Sequence, residues 1–261
     1  MLKNNLIIAL RQLRKQSFYS FINITGLAIG VAACLVIVLF IVDELSYDRY
    51  NTKAERIYRI NNEIKFGGSH ANMTTSAAPV AHTLQQDYPE VEATVRFRDY
   101  GSYLVKTGDG AENIKEKNVI WTDSTFFKIF SVNVIEGNPN TALAQPSSVA
   151  ISKKMADKYF PGKSAMGQSL ILDNVRHATV TAVYEDIPTT SHFHFDILIS
   201  MIGEWPVARE AQSSAYLSNN FQTYLLLREG ADAKALEAKL PGFLEKYMGP
   251  QIAQIMGDDF T

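Results

Sequence analysis

A chain of 261 residues with 46% hydrophobic, 11% aromatic and 20% charged side chains has the composition of one or two globular domains, which excludes a disordered, collagen-like or disulfide-stapled polypeptide. The net charge of -2 is unevenly spread: residues 1–42 hold Lys3, Arg11, Arg14 and Lys15 and no acid, leaving 21 basic against 27 acidic residues beyond Val42. An acidic body behind a short basic head offers no positive face to phosphates, so nucleic acid is excluded as a partner, and the single Cys34 permits no internal disulfide.

The first element, within residues 1–17, places Leu6, Leu10 and Leu13 at helical spacing beside the basic side chains. This pattern predicts an amphipathic helix lying on the membrane lipid. Phe18 to Val42 then runs for 25 residues without a charge. At about 1.5 Å per residue it exceeds the roughly 30 Å hydrocarbon core of a bilayer. It is longer than a signal-peptide core and ends in Asp43-Glu44 rather than at a cleavage site. Val31-Ala32-Ala33-Cys34 imitates a lipoprotein cleavage box, but eight more apolar residues follow it. Residues 18–42 are therefore read as a retained transmembrane helix. Lys3, Arg11, Arg14 and Lys15 before the span, against Asp43, Glu44 and Asp48 after it, place the amino terminus in the cytoplasm and residues 43–261 outside the inner membrane.

Within the span, Gly26 and Gly30 form a G-x-x-x-G pair, continued by Asn23, Ala33 and Ile37 at steps of three and four. Small residues let helices approach closely, and an Asn can hydrogen-bond across the contact. The stripe is thus a candidate surface for packing against another membrane helix.

Beyond the span the periodicity switches between strand and helix. Residues 44–56 continue as a stalk, followed by a strand over Arg56–Phe66 and a helix over Pro79–Tyr88 that stops before Pro89. Short strands are expected at Val95–Tyr100, Tyr103–Lys106 and Ile114–Trp121, with a turn at Gly108-Asp109-Gly110. An aromatic helix at Phe126–Phe130 precedes a strand at Ser148–Ile151 and a helix at Lys153–Phe160 closed by Pro161-Gly162. Strands follow at Ser169–Asp173, Ala178–Tyr184, Phe195–Met201 and Gln222–Arg228, then a helix over Asp232–Tyr247 interrupted at Pro241. The sum is an α+β fold: one amino-terminal transmembrane helix, then a two-subdomain periplasmic α+β domain with a β-rich insertion at about 100–215. The chain ends in Met256-Gly257-Asp258-Asp259-Phe260-Thr261 with neither a closing strand nor a second span in view, as an interrupted domain would.

Signatures of bond chemistry fail one by one. Gly162-Lys163-Ser164 echoes a phosphate loop, but the glycine needed at 157 is Asp157. On a strand, His192 and His194 would share one face with Asp196 beside them, two histidines and a carboxylate suited to zinc, yet no third ligand can be placed. No nucleophile elbow is present, and the lone Cys34 lies in the span. Neither a cofactor nor a metal is expected, and the chain reads as no enzyme. Phe126, Phe127, Phe130, Tyr159 and Phe160 are either core or the wall of an apolar groove between the subdomains.

A set of motifs carries a resemblance. Asn23-x-x-Gly26-Leu27-Ala28-x-Gly30, Asp43-Glu44-Leu45-Ser46-Tyr47-Asp48 and Arg56-Ile57-Tyr58-Arg59 resemble the opening of ABC-transporter permeases of the macrolide-exporter type. Pro89-Glu90-Val91-Glu92, Ile151-Ser152-Lys153-Lys154-Met155-Ala156, Tyr159-Phe160-Pro161-Gly162 and Asp186-Ile187-Pro188-x-x-Ser191-His192-Phe193 are similar to the MacB-like periplasmic core domain of that FtsX-like superfamily. The resemblance implies a non-catalytic permease subunit in the bacterial inner membrane that couples a cytoplasmic ABC ATPase subunit to motion of a periplasmic domain. It implies a second permease half or a homodimer, a periplasmic adaptor as a further candidate partner, and three more membrane helices, of which this sequence would be the amino-terminal part. The alternative is a single-span anchored receptor or scaffold that binds a ligand or partner without transport.

Overall fold

The computed structural model describes residues 2–66 and 69–256. The chain divides into two compact units, residues 1–47 and 48–261. The first unit consists of α1 (Leu2–Lys15) and α2 (Ser17–Glu44). Arg14 and Lys15 stand in the last turn of α1, where cations complement the helix dipole. Helix α2 has 28 residues, contains an 18-residue stretch of mean hydropathy 2.8 and has no buried side chain, so it is long and apolar enough to cross a membrane.

The second unit opens with a short 3-10 turn (Ala54–Arg56) leading into β1 (Ile57–Arg59). The continuous strand expected over Arg56–Phe66 is broken after Arg59. Ile60 donates its amide to Thr223 O, and the chain then leaves for a separate hairpin of β2 (Asn62–Phe66) and β3 (Ser69–Met73). After β4 (Ser76–Ala77), Pro79 opens α3 (Ala78–Asp87), its missing N–H costing nothing in a first turn. Then come β5 (Val91–Arg98), β6 (Tyr103–Lys106), β7 (Ile114–Glu116), β8 (Val119–Thr122) and α4 (Phe126–Ile129). Next are β9 (Val134–Gly137), β10 (Ser148–Ser152) and α5 (Lys153–Tyr159), which Ser152 caps by accepting from the Met155 amide. The chain continues through β11 (Ser169–Leu172), β12 (Arg176–Tyr184), β13 (Ile197–Ser200), α6 (Pro206–Ala211) and β14 (Asn219–Leu227). Asp232 caps α7 (Ala233–Glu237), and Pro241 sits in the first turn of α8 (Leu240–Tyr247), so it starts a helix where the sequence suggests an interruption. Helix α9 (Gly249–Met256) follows. Residues 257–261, on which the expectation of an interrupted end partly rests, lie outside the described residues.

Twelve of the described strands form one mixed sheet, in the order β1-β14-β5-β8-β13-β10-β12-β11-β6-β7, with β4 on β14 and β9 on β12. The pairs β10·β12 and β13·β8 are parallel and the remainder antiparallel. The sheet passes from its first strands into the β-rich stretch through β5 and β8, where Phe97 faces Thr122 and Arg98 faces Trp121. At Gly137, φ is +97° and an added Cβ would lie 2.5 Å from Thr181 O, so only glycine fits where β9 meets β12.

Three apolar cores cover the sheet. One packs α5 and α6 on it through Met155, Tyr159, Val207 and Trp121. A second packs α4 on it through Phe97, Phe126, Ile129 and Phe130. The third holds α3 and α8 against β14 through Leu84, Phe243 and Leu225. Burial of Phe126, Tyr159 and Phe160, at 9% exposure or less, places these aromatics in the cores rather than along a groove, while Phe130, 1% exposed, belongs to a core and also edges a cleft.

Candidate functional site

The opening segment of the second unit, from Asp48, is fastened within that unit by side chains whose spacing in sequence gives no warning. Asp48 occupies a left-handed conformation (φ +59°), which short polar residues tolerate. Its amide donates to Thr190 O at 2.8 Å, and its carboxylate oxygens each lie 2.8 Å from His192 Nδ1. The His192 amide also donates to Asp48 Oδ1. On the far side of the ring, Nε2 lies 2.8 Å from the Tyr224 hydroxyl in β14. With a carboxylate on Nδ1, the neutral ring carries its proton there and Nε2 accepts from Tyr224. When the ring is charged, Nε2 donates instead.

The neighbouring residues extend the clasp. The Tyr50 hydroxyl bonds Ser191 Oγ at 3.1 Å. Asn51, only 5% exposed, accepts from the Ser131 amide, while the Thr52 amide donates to Ser131 Oγ. Lys53 Nζ donates to Lys128 O at 2.7 Å, and Arg56 donates to Leu227 O at 3.1 Å and to Glu92 at 3.3 Å. Burial pushes the hydroxyls of Tyr50 and Tyr224 above the ordinary phenol range, so both remain protonated hydrogen-bonding groups at neutral pH.

The loop that carries His192 is fixed from both ends. The Ser191 amide closes a turn on Pro188 O, and Phe193 is buried against Phe97 with ring centroids 5.5 Å apart. Phe195 and Tyr224 each lie 5.2 Å from Phe97, so the hydrogen bonds of the clasp rest on an aromatic floor. A cleft of about 480 Å³ opens here, lined by Asp48, Arg59, Asn61, Phe130, His192 and Tyr224. It offers hydrogen-bonding groups of both signs.

The strand expected for His192 and His194 is not formed, because 192–196 is irregular and β13 begins at Ile197. Phe193 and Phe195 nonetheless face inward together, stacked at 4.9 Å. Asp196 turns to Ser152, Asn118 and Lys154, away from both histidines. Among the described residues no three His, Cys, Asp or Glu side chains gather in a way that could hold a metal. Ser164 of the phosphate-loop echo donates to Glu136.

On α2, Gly26 and Gly30 lie on a shallow groove with Leu27, Val31 and Cys34, whereas Asn23 and Ala33 lie outside it. An added Cβ at either glycine would meet nothing, so the groove is open along the helix. Arg11, Arg14 and Lys15 are exposed on α1, and the Lys3 side chain lies outside the described residues. These residues lie in the first unit and the clasp in the second. Asp48 and His192 stand in two separate sequence motifs, and nothing in either pairs it with the other. Tyr224, Asn51 and Ser131 carry no signal of their own.

Residues 20–242 match the family described as MacB-like periplasmic core domain. The chain belongs to that family. A search of curated proteins found no match. Among solved structures, the MacB-like fold recurs in a domain of a protein described as a permease from Porphyromonas gingivalis. That pair has a TM-score of 0.64 and 21% identity, over 76% of this chain and 83% of that one. The periplasmic region of MacB from Actinobacillus actinomycetemcomitans gives a TM-score of 0.54 at 12% identity, over 84% and 99%. One apolar helix long enough to span a bilayer, followed by a MacB-like periplasmic core domain, fits an inner-membrane protein of the ABC-type permease family.

Proposed function

We propose that this chain is the non-catalytic permease component of an ABC-type transporter, in which a cytoplasmic ATPase moves the membrane helix and the helix moves the periplasmic domain. Residues 1–17 would lie on the cytoplasmic surface, 18–42 would span, and 43–261 would be periplasmic with an inserted part at about 100–215. The four basic side chains before the span support this orientation.

The observation that carries the reading is the clasp of 48–56. Helix α2 ends at Glu44, and only four residues later Asp48 is tied to the domain through His192 and Thr190. A pull arriving at residue 48 would thus act on a segment bonded at several points within its own unit rather than on a free tail. Export or release of a substrate would follow from that motion. The partners would be the ATPase, a second permease half or copy, membrane lipid and a periplasmic adaptor.

The test is crosslinking in native membranes followed by purification of the tagged protein and assay of the recovered complex. A cytoplasmic ABC ATPase should be recovered, and its hydrolysis in proteoliposomes should depend on the permease. Recovery of the chain with periplasmic partners but no ATPase would overturn the reading in favour of an anchored receptor.

A further inference from the structure

The chain has two tryptophans, and both line a second cleft of about 230 Å³ that shares no residue with the Asp48–His192 cleft. Trp121 in β8 is 2% exposed and forms the floor. Trp205, just before α6, packs edge-to-face on it, with ring centroids 4.9 Å apart at 88°. Tyr100 and Tyr103 complete an aromatic lining. Tyr100 is held in place by Glu210, which accepts from its hydroxyl at 2.5 Å, and by Arg98, whose guanidinium lies 4.2 Å from the ring centroid. The walls are therefore fixed before any ligand arrives.

Two polar features point into use by a ligand. The Trp121 indole N–H donates to the Tyr103 hydroxyl at 2.6 Å, so that oxygen is an acceptor, and its own proton has no acceptor among the described residues although Tyr103 is only 4% exposed. A hydroxyl that accepts without donating within the protein keeps its proton free for an acceptor in the cleft it lines. At the rim, the turn from β11 to β12 presents Asp173 and Arg176, 3.4 Å apart. Asp173 is held by accepting from the Leu104 amide at 3.0 Å, with φ at +50°. One negative and one positive group line the cleft, so neither a cation nor an anion gains from its net charge.

An aromatic lining, a hydroxyl donor, a carboxylate acceptor and a guanidinium donor match one common chemistry. A pyranose has apolar C–H faces and a rim of hydroxyls that donate and accept. A purely aliphatic ligand would leave the Tyr103 proton unused and cover the Asp173–Arg176 pair without a polar partner, and an aromatic side chain would use the rings and none of the polar groups. We propose that the Trp121/Trp205 cleft binds a neutral sugar ring.

The test uses the tryptophans as reporters, in the full chain held in a detergent without a sugar headgroup. Emission is followed during titration with glucose, N-acetylglucosamine and chitobiose, and ligand-detected NMR reads transfer to the sugar C–H groups. A saturable change with at least one sugar is expected. Asp173→Asn keeps the acceptor for Leu104 and tolerates the left-handed turn, and should weaken the response roughly ten-fold. Trp205→Ala should abolish it, with Trp205→Phe as the variant that preserves packing. Absence of a saturable response to all three sugars, or one unchanged in Asp173→Asn and Trp205→Ala, would overturn the proposal. A response to N-acetyltyrosine amide with none to the sugars would equally overturn it, assigning the cleft to an aromatic side chain of a protein partner.

Discussion

Asp48 and His192, 144 residues apart, are joined by both carboxylate oxygens at 2.8 Å from one ring nitrogen, and the ring's other nitrogen reaches Tyr224. The pair is about one-third exposed, so its worth to stability is small, on the order of 1 kcal/mol or less. Its importance is geometric. Asp48→Ala and His192→Ala should each leave folding and membrane level nearly unchanged while reducing transport-linked ATP hydrolysis in the assembled transporter. Normal coupling in the double variant would show that the clasp does not transmit motion.

Orientation can be read directly. Alkaline phosphatase fused after Arg59 should be active if the four basic residues before the span remain in the cytoplasm. A stable but inactive fusion would reverse the topology.

The groove on α2 that contains Gly26 and Gly30 suggests a seat for another helix. In lipid, close backbone contact and interhelical hydrogen bonds drive association. Replacing both glycines with isoleucine should leave insertion intact and weaken assembly by about 1–2 kcal/mol if the Asn23 hydrogen bond is lost as well. Crosslinking yields in the full permease measure this. Unchanged yields at equal membrane levels would turn the groove toward lipid.

Helix α6 is latched by Glu210, which accepts from Arg98 at 3.0 Å, Asn220 at 2.7 Å and Tyr100. Burial pushes its carboxyl up, but the Arg98 and Tyr100 hydrogen bonds, the Arg98 charge and Asn220 outweigh it and hold the group below the usual carboxylate range. A depressed value means that the stabilisation is present above the ordinary carboxylate pKa and is lost as pH falls through the lowered one. The urea midpoint read by tryptophan emission should therefore drop on acidification below about pH 4. Glu210→Gln should lower the midpoint at pH 7 and flatten its acid dependence, and an unaltered acid slope would remove Glu210 as a contributor.

Gly137 and Gly162 both have positive φ, but only at Gly137 would a side chain strike the neighbouring strand. Alanine should cost roughly 1 kcal/mol at Gly162 from backbone strain alone and several at Gly137, where overpacking adds to it. Thermal denaturation of the two variants compares them, and equal losses would contradict the close approach to Thr181.

Much of the fold can be read locally. The 25-residue uncharged run, Pro79 at the head of α3 and the cap at Ser152 all act through near neighbours, and the corresponding elements appear within a residue or two of expectation. Helix α6 is only six residues long and has Trp205 at its cap in place of a serine, threonine or aspartate, and the β2–β3 hairpin alternates weakly, so neither announces itself. The clasp is less legible for a different reason. Asp48 and His192 both fall in motifs that carry the family resemblance, yet their meeting depends on the whole sheet placing the 188–193 loop beside the chain's entry. No spacing within either motif encodes that distance.

Strand β14 pairs on one side with β1 and on the other with β5, and Arg56 reaches Leu227 across 171 residues. The strand that completes the interior of the sheet is thus the last of its described strands to emerge during synthesis. Until it arrives, β1 has no partner and β5 exposes an apolar edge, a hazard for pairing between nascent chains. Such long-range closure is slow. Completion of the sheet therefore waits on delivery of residues 219–227, which puts the interval of greatest edge exposure late in the chain's synthesis.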